Sequence, residues 1–128
     1  MARILIIDDD PHLRRLLARI LQSDGHEVIE ASNGTDGLAR FAAAPPALVI
    51  TDILMPEKEG IETIRDLRRL APAVPIIAIS GGGVSQKSMK FLDMAAKLGA
   101  TAALAKPFRP PKLLETVARL LSESVEIA

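Results

Sequence analysis

The sequence predicts an α/β fold, a three-layer αβα sandwich around a five-stranded parallel sheet. Two observations lead there. Strand-like runs recur at Ile4–Ile7, Glu27–Glu30, Leu48–Thr51, Pro75–Ile79 and Thr101–Ala105, and each intervening stretch is long enough for a helix. Apolar strands that alternate with helices belong in a parallel sheet covered on both faces, and right-handed crossovers then place helices on both sides.

The elements follow in order. The run Ile4–Ile7 leads directly into Asp8, Asp9 and Asp10. Beyond it, Leu13, Leu16, Leu17, Ile20 and Leu21 share one helical face, Asp10 and Pro11 make an N-cap and N1 pair, and Gly25 can end the helix. Helices are expected around Asp36–Ala43, after the second run, and around Glu59–Leu70, after the third. The third run opens into Thr51–Asp52–Ile53–Leu54–Met55–Pro56. Ser80 and Gly81–Gly82–Gly83 follow the fourth run, and Phe91, Met94, Ala95 and Leu98 form an apolar stripe before Gly99. Lys106–Pro107–Phe108 follow the fifth. After Pro110–Pro111 the stripe returns at Leu113, Val117, Leu120 and Leu121. The chain is expected to fray from Ser122, giving one domain over 1–122, a tail over 123–128 and no effector domain.

With 128 residues, 48% of them hydrophobic, the chain can bury one core. Its 16 basic and 16 acidic side chains cancel, which argues against direct nucleic-acid binding. The absence of cysteine excludes disulfides and thiolate metal sites. No apolar run approaches the length of a membrane span, and the chain enters a strand at once instead of a signal peptide. The expectation is a soluble, cytoplasmic protein.

Strand ends carry the chemistry. In a parallel sheet the C-terminal strand ends share one edge, where open α/β folds hold their active crevice. Asp8 and Asp9, Asp52, Ser80 and Lys106 would meet there. Adjacent carboxylates repel one another and lose hydration unless a cation or basic group compensates them. Carboxylates suit a hard divalent ion such as magnesium, while a lysine and a hydroxyl suit a transferred phosphoryl group. Each residue also has a plainer reading: Asp8 and Asp9 as solvated charges at a helix N-terminus, Asp52 as a turn residue before Pro56, Lys106 as a surface lysine. Their convergence favours chemistry. Asp10 is read first as the helix cap, His12 and His26 as solvated helix or turn residues, and Met55, Met89 and Met94 as packing residues.

These residues in this order resemble the receiver domain of two-component response regulators, of the single-domain, chemotaxis-regulator-like kind. The resemblance rests on Asp8 and Asp9, on Asp52 with Met55–Pro56 and Gly60, on Ser80, and on Lys106–Pro107–Phe108. It implies a flavodoxin-like sheet of order 2-1-3-4-5. It further implies a signalling switch, not an enzyme acting on outside substrates, that catalyses at most its own phosphorylation and dephosphorylation. Asp52 would accept a phosphoryl group from a sensor histidine kinase or phosphotransfer protein. Asp9, Asp52 and the backbone carbonyl of Leu54 would bind Mg2+ directly, with Asp8 acting mostly through water. Ser80 would hydrogen-bond the phosphoryl group, Lys106 would pair with it, and the Lys106–Pro107 peptide would be cis. Output would pass to an unknown protein target, from a monomer or weak dimer, without nucleic acid or membrane insertion.

Two departures stand out. Ala103 occupies the position where the family often carries an aromatic switch, so output would run through the Ser80 loop and the region after it, or be muted. The glycine triplet after Ser80 gives either a mobile switch loop or a tight turn. A competing reading is a haloacid-dehalogenase-like phosphatase with Asp8 as nucleophile, since Asp8–Asp9–Asp10 also satisfies an Asp-x-Asp after the first strand. Beyond Lys106 only Glu115, Glu123 and Glu126 could supply that family's late acid pair, and the chain is short for a substrate cap. A third is a receiver-like scaffold that is never phosphorylated, against which the intact acid, hydroxyl and lysine set speaks.

Overall fold

Isoleucine, valine and threonine, residues of high β-propensity, dominate the three central strands, and the spacing of apolar residues sets the helices that cover the sheet. The computed structural model describes residues 2–53, 60–80, 93, 95–105 and 108–127, the side chains of Ser80 and residues 124–127 excepted. The elements are β1 (Arg3–Ile7), α1 (Pro11–Ser23), β2 (Glu27–Ala31), α2 (Gly34–Ala43), β3 (Leu48–Asp52), α3 (Gly60–Leu70), β4 (Ile76–Ser80), β5 (Ala102–Ala105) and α4 (Pro110–Ile127). The sheet is parallel throughout, in the order β2-β1-β3-β4-β5. This is the expected sandwich, with strand limits shifted by a residue at most. The stripe before Gly99 is helical over 95–98, while Phe91 and Met94 lie outside the described residues.

Period-two alternation divides the sheet's apolar side chains between two cores. On one face Ile4, Ile6, Leu48, Ile50, Ile77, Ile79 and Leu104 pack against Leu17 and Leu21 of α1 and Leu113, Val117 and Leu120 of α4. On the other, Leu5, Ile7, Val49, Ile76 and Ala78 pack against Phe41 of α2, Ile61, Ile64 and Leu67 of α3, and Ala95. Burial on both faces is what holds the central strands in register, since a one-residue slip would exchange the two cores.

The helix termini are set by local chemistry. Asp10 caps α1, its carboxylate accepting from the His12 and Leu13 amides at 2.9 and 3.4 Å. Asn33 caps α2 by accepting from the Asp36 amide at 2.8 Å. Gly25 at φ +90° turns the chain out of α1, where the Gly25 and His26 amides donate to the carbonyls of Gln22 and Leu21. At the sheet edge formed by the N-terminal strand ends, Arg68 donates to the carbonyls of Gly99 and Ala71 at 2.8 and 3.1 Å and to Thr101 Oγ1 at 3.2 Å. Burial lowers the pKa of this guanidinium from its ordinary value, yet the fan of neutral acceptors holds it between α3 and the turn into β5.

Three expectations are corrected. Leu16 is 54% exposed, because the core-facing arc of α1 is filled by Leu17, Ala18 and Leu21 and is narrower than the apolar stripe. The His26 side chain is only 8% exposed, with Nδ1 accepting from the Ala2 amide at 3.2 Å, so it pins the start of the chain beside β2 instead of sitting in solvent. The chain expected to fray from Ser122 stays helical through Ile127, no glycine or proline following Pro111 to stop it.

The Leu16–Leu17 pair offers a direct check. Leu17→Ala is expected to cost about 3 kcal/mol of unfolding free energy in a urea titration, because it opens a cavity in the core. Leu16→Ala is expected to cost less than about 1 kcal/mol.

Candidate metal centre

The site is a product of register. The Asp8 amide extends β1 by donating to the Ala31 carbonyl at 3.1 Å, and Ile7 pairs with Thr51, so Asp8 and Asp52 stand level on neighbouring strands. Asp52 in turn pairs with Ile79, and Ser80 with Ala105, the residue before Lys106. The strand ends at Asp8, Asp52, Ser80 and Ala105 therefore share one edge. Leu54, Met55, Pro56, Gly81–Gly82–Gly83, Met89, Lys106 and the Lys106–Pro107 peptide lie outside the described residues, as does the Ser80 side chain.

Asp8, Asp9 and Asp52 each bring a carboxylate oxygen to a common point, all three atoms lying within 4.8 Å of one another. Asp8 is 1% exposed and Asp52 5%, while Asp9 is exposed. Two buried carboxylates and one at the rim make an all-oxygen donor set that reaches solvent at Asp9. That chemistry fits a hard divalent cation, which keeps waters or takes phosphate oxygens on its open side.

The surroundings hold the acids in place. Asp8 Oδ1 accepts from the Asp10 amide at 2.9 Å, and the Asp8 carbonyl accepts from Arg14 Nη1 at 2.8 Å. Arg14 Nε bonds Glu30 Oε1 at 3.1 Å. Thr51, fully buried, donates from Oγ1 to the Asp52 carbonyl at 3.1 Å. The Asp10 carboxylate is turned to the first amides of α1, the capping role expected of it, and stands outside the cluster. Arg14 and Glu30 escaped the sequence reading because each looks like a solvated charge, on a helix and on an alternating strand. The available signal was a basic residue one helical turn beyond the cap that follows the acidic pair.

Comparison with known proteins decides the family. The response regulator receiver domain matches residues 4–118. The chain belongs to this family. It is 35% identical to the chemotaxis protein CheY of Thermotoga maritima, over 90% of this chain and 93% of that one. It is 39% identical to the KDP operon transcriptional regulatory protein KdpE of Escherichia coli over 84% of this chain, which spans 46% of that longer protein. Among solved structures, a CheY-like receiver domain protein from Methanospirillum hungatei superposes with a TM-score of 0.90 at 31% identity, covering 100% of this chain and 99% of that one. Receiver domains are the phosphorylation-controlled switches of two-component systems, and they interact with histidine kinases and downstream targets. The phosphatase alternative with Asp8 as nucleophile gains no support from these matches. Among the described residues no helix is long and apolar enough to cross a membrane.

Asp10 supplies the prediction here. Asp10→Ala is expected to lower stability by about 1 kcal/mol through loss of the cap. Because the main-chain amide that holds Asp8 remains, divalent-cation binding in a calorimetric titration is expected to match the wild type.

Proposed function

We propose that this receiver domain takes a phosphoryl group on Asp52 from the phosphohistidine of a sensor kinase or phosphotransfer protein, and that it works in the cytoplasm and signals by protein contact. The observation that carries this reading is the crowding of Asp8, Asp9 and Asp52 at the C-terminal strand edge, their ligand atoms within 4.8 Å. Asp8, Asp9 and Asp52, with the Leu54 carbonyl, would hold Mg2+, the ion's chemistry being neutralisation of charge on the carboxylates and the incoming phosphoryl oxygens.

The chain's own residues do the rest. An Asp52 carboxylate oxygen attacks phosphorus as the bond to the donor's imidazole nitrogen breaks, leaving an acyl phosphate and a neutral histidine once a proton returns to that nitrogen. Ser80 donates a hydrogen bond to the new phosphoryl oxygens, and Lys106 pairs with their charge. The added charge and acceptors favour the loop state in which both groups point inward, so the switch is a shift between existing states. Turnover of outside substrates forms no part of this reading.

Asp52→Asn is expected to abolish phosphorylation by a small phosphodonor in the presence of Mg2+. Intact-mass measurement should show one added phosphoryl group on the wild type and none on the variant, with EDTA removing the wild-type signal. Labelling that persists in the variant, or that maps to Asp8, would sink the proposal.

The phosphorylated state is expected to be long-lived. Its hydrolysis needs a water aligned opposite the Asp52 oxygen, and in this family the residues two after the acceptor and two after the hydroxyl influence that water. Here they are Leu54 and Gly82, neither with a side chain able to hydrogen-bond it. Timed phosphate release after donor removal should be faster in the Leu54→Asn, Gly82→Glu double variant. Equal lifetimes would show that other groups orient the water.

A further inference from the structure

Arg14 is a partly buried cation that the phosphorylation chemistry leaves without a task. It lies in the first turns of α1, its side chain 16% exposed, and spans two elements: Nη1 donates to the Asp8 carbonyl at 2.8 Å and Nε to Glu30 of β2 at 3.1 Å. The carbonyl it grips belongs to the peptide unit joining Asp8 to Asp9. The orientation of that unit sets the direction in which both side chains leave the backbone. The Asp8 amide is held by Ala31 and its carboxylate accepts from the Asp10 amide, while Arg14 bonds the carbonyl of this peptide directly. Glu30 in turn fixes the guanidinium, and β2 fixes Glu30. A planar fork can donate to two differently placed acceptors at once, which an ammonium on a flexible stem does poorly.

We propose that Arg14, anchored by Glu30, is a positioning residue for the metal centre: it locks the Asp8–Asp9 peptide so that both carboxylates meet Asp52 at one cation. The proposal rests on the Mg2+ reading above. It makes an unusual commitment of sign. A positive charge near a cation site opposes binding by Coulomb repulsion, so deleting Arg14 should tighten Mg2+ binding if charge were its only influence. If positioning dominates, deletion weakens it. Groups that orient metal ligands are typically worth about tenfold or more in affinity.

The test is an Mg2+ titration of the whole chain without phosphodonor, followed by amide chemical shifts, for the wild type, Arg14→Lys and Arg14→Met. Amide exchange at Asp9 and Asp10 in metal-free protein gives a second readout. Both variants are expected to bind Mg2+ about tenfold more weakly, and to exchange those two amides faster at unchanged protection in β3 and β4. Arg14→Lys keeps the charge and loses only the fork, so it remains informative even where Arg14→Met folds poorly. Tighter binding by Arg14→Met, or wild-type affinity in Arg14→Lys, overturns the proposal, as does lower stability with unchanged affinity. A wild type that binds no Mg2+ overturns the functional reading along with this one, whereas variants matching a wild type that does bind overturn this inference alone.

Discussion

Like-charge crowding at the ends of β1 and β3 is the constraint around which this domain is arranged. Three carboxylate oxygens within 4.8 Å repel one another, and the two on buried side chains have surrendered much of their hydration. The fold tolerates this because the neighbouring main chain is supplied with complementary dipoles and charge. An amide of the β1–α1 turn faces the Asp8 carboxylate, α1 opens at the same edge with its positive end, and a guanidinium sits behind the peptide joining two of the acids. A stable scaffold can carry such a site only if the remainder of the structure is hard to deform.

The sheet supplies that stiffness. Its central strands bury both faces, each strand feeding alternate side chains to two separate cores, so neither sliding nor twisting of a single strand is cheap. Asp52 ends the central strand β3, with β1 bonded on one side and β4 on the other. A carboxylate placed there moves little on its own. Charge added to it is felt by neighbouring strand ends, which is the arrangement a switch needs if a chemical change at one residue is to bias the loops beyond β4 and β5.

The opposite edge of the sheet is built for retention. Arg68 ties the end of α3 to Gly99 and Thr101, and Thr101 Oγ1 accepts from the Ile76 amide at 3.1 Å, so the entrances to β4 and β5 are fastened together. Gly99 is suited to this place twice over: its φ is +123°, and a Cβ there would lie 2.7 Å from the Arg68 side chain. Fastened entrances and polar exits give β4 and β5 a fixed base beneath the edge where the chemistry gathers.

Much of this was legible in the chain itself. The βα alternation fixed the class and the parallel sheet, and strand-end residues Asp8, Asp9 and Asp52 were marked by local sequence, because they follow on short continuous apolar runs. Asp10 as the cap was legible for the same local reason. What the sequence did not contain was anything that depends on which faces meet. Leu16 fits the apolar stripe of α1 yet points away from the core, and His26 looks solvated yet lies under the first residues of the chain. Arg14 and Glu30 stand 16 residues apart, and their bond exists only because β2 returns to pair in parallel beside β1, with α1 between them in sequence. Local periodicity determines elements and their ends; the partners of long polar side chains are chosen by packing across strands, and only the tertiary structure decided them.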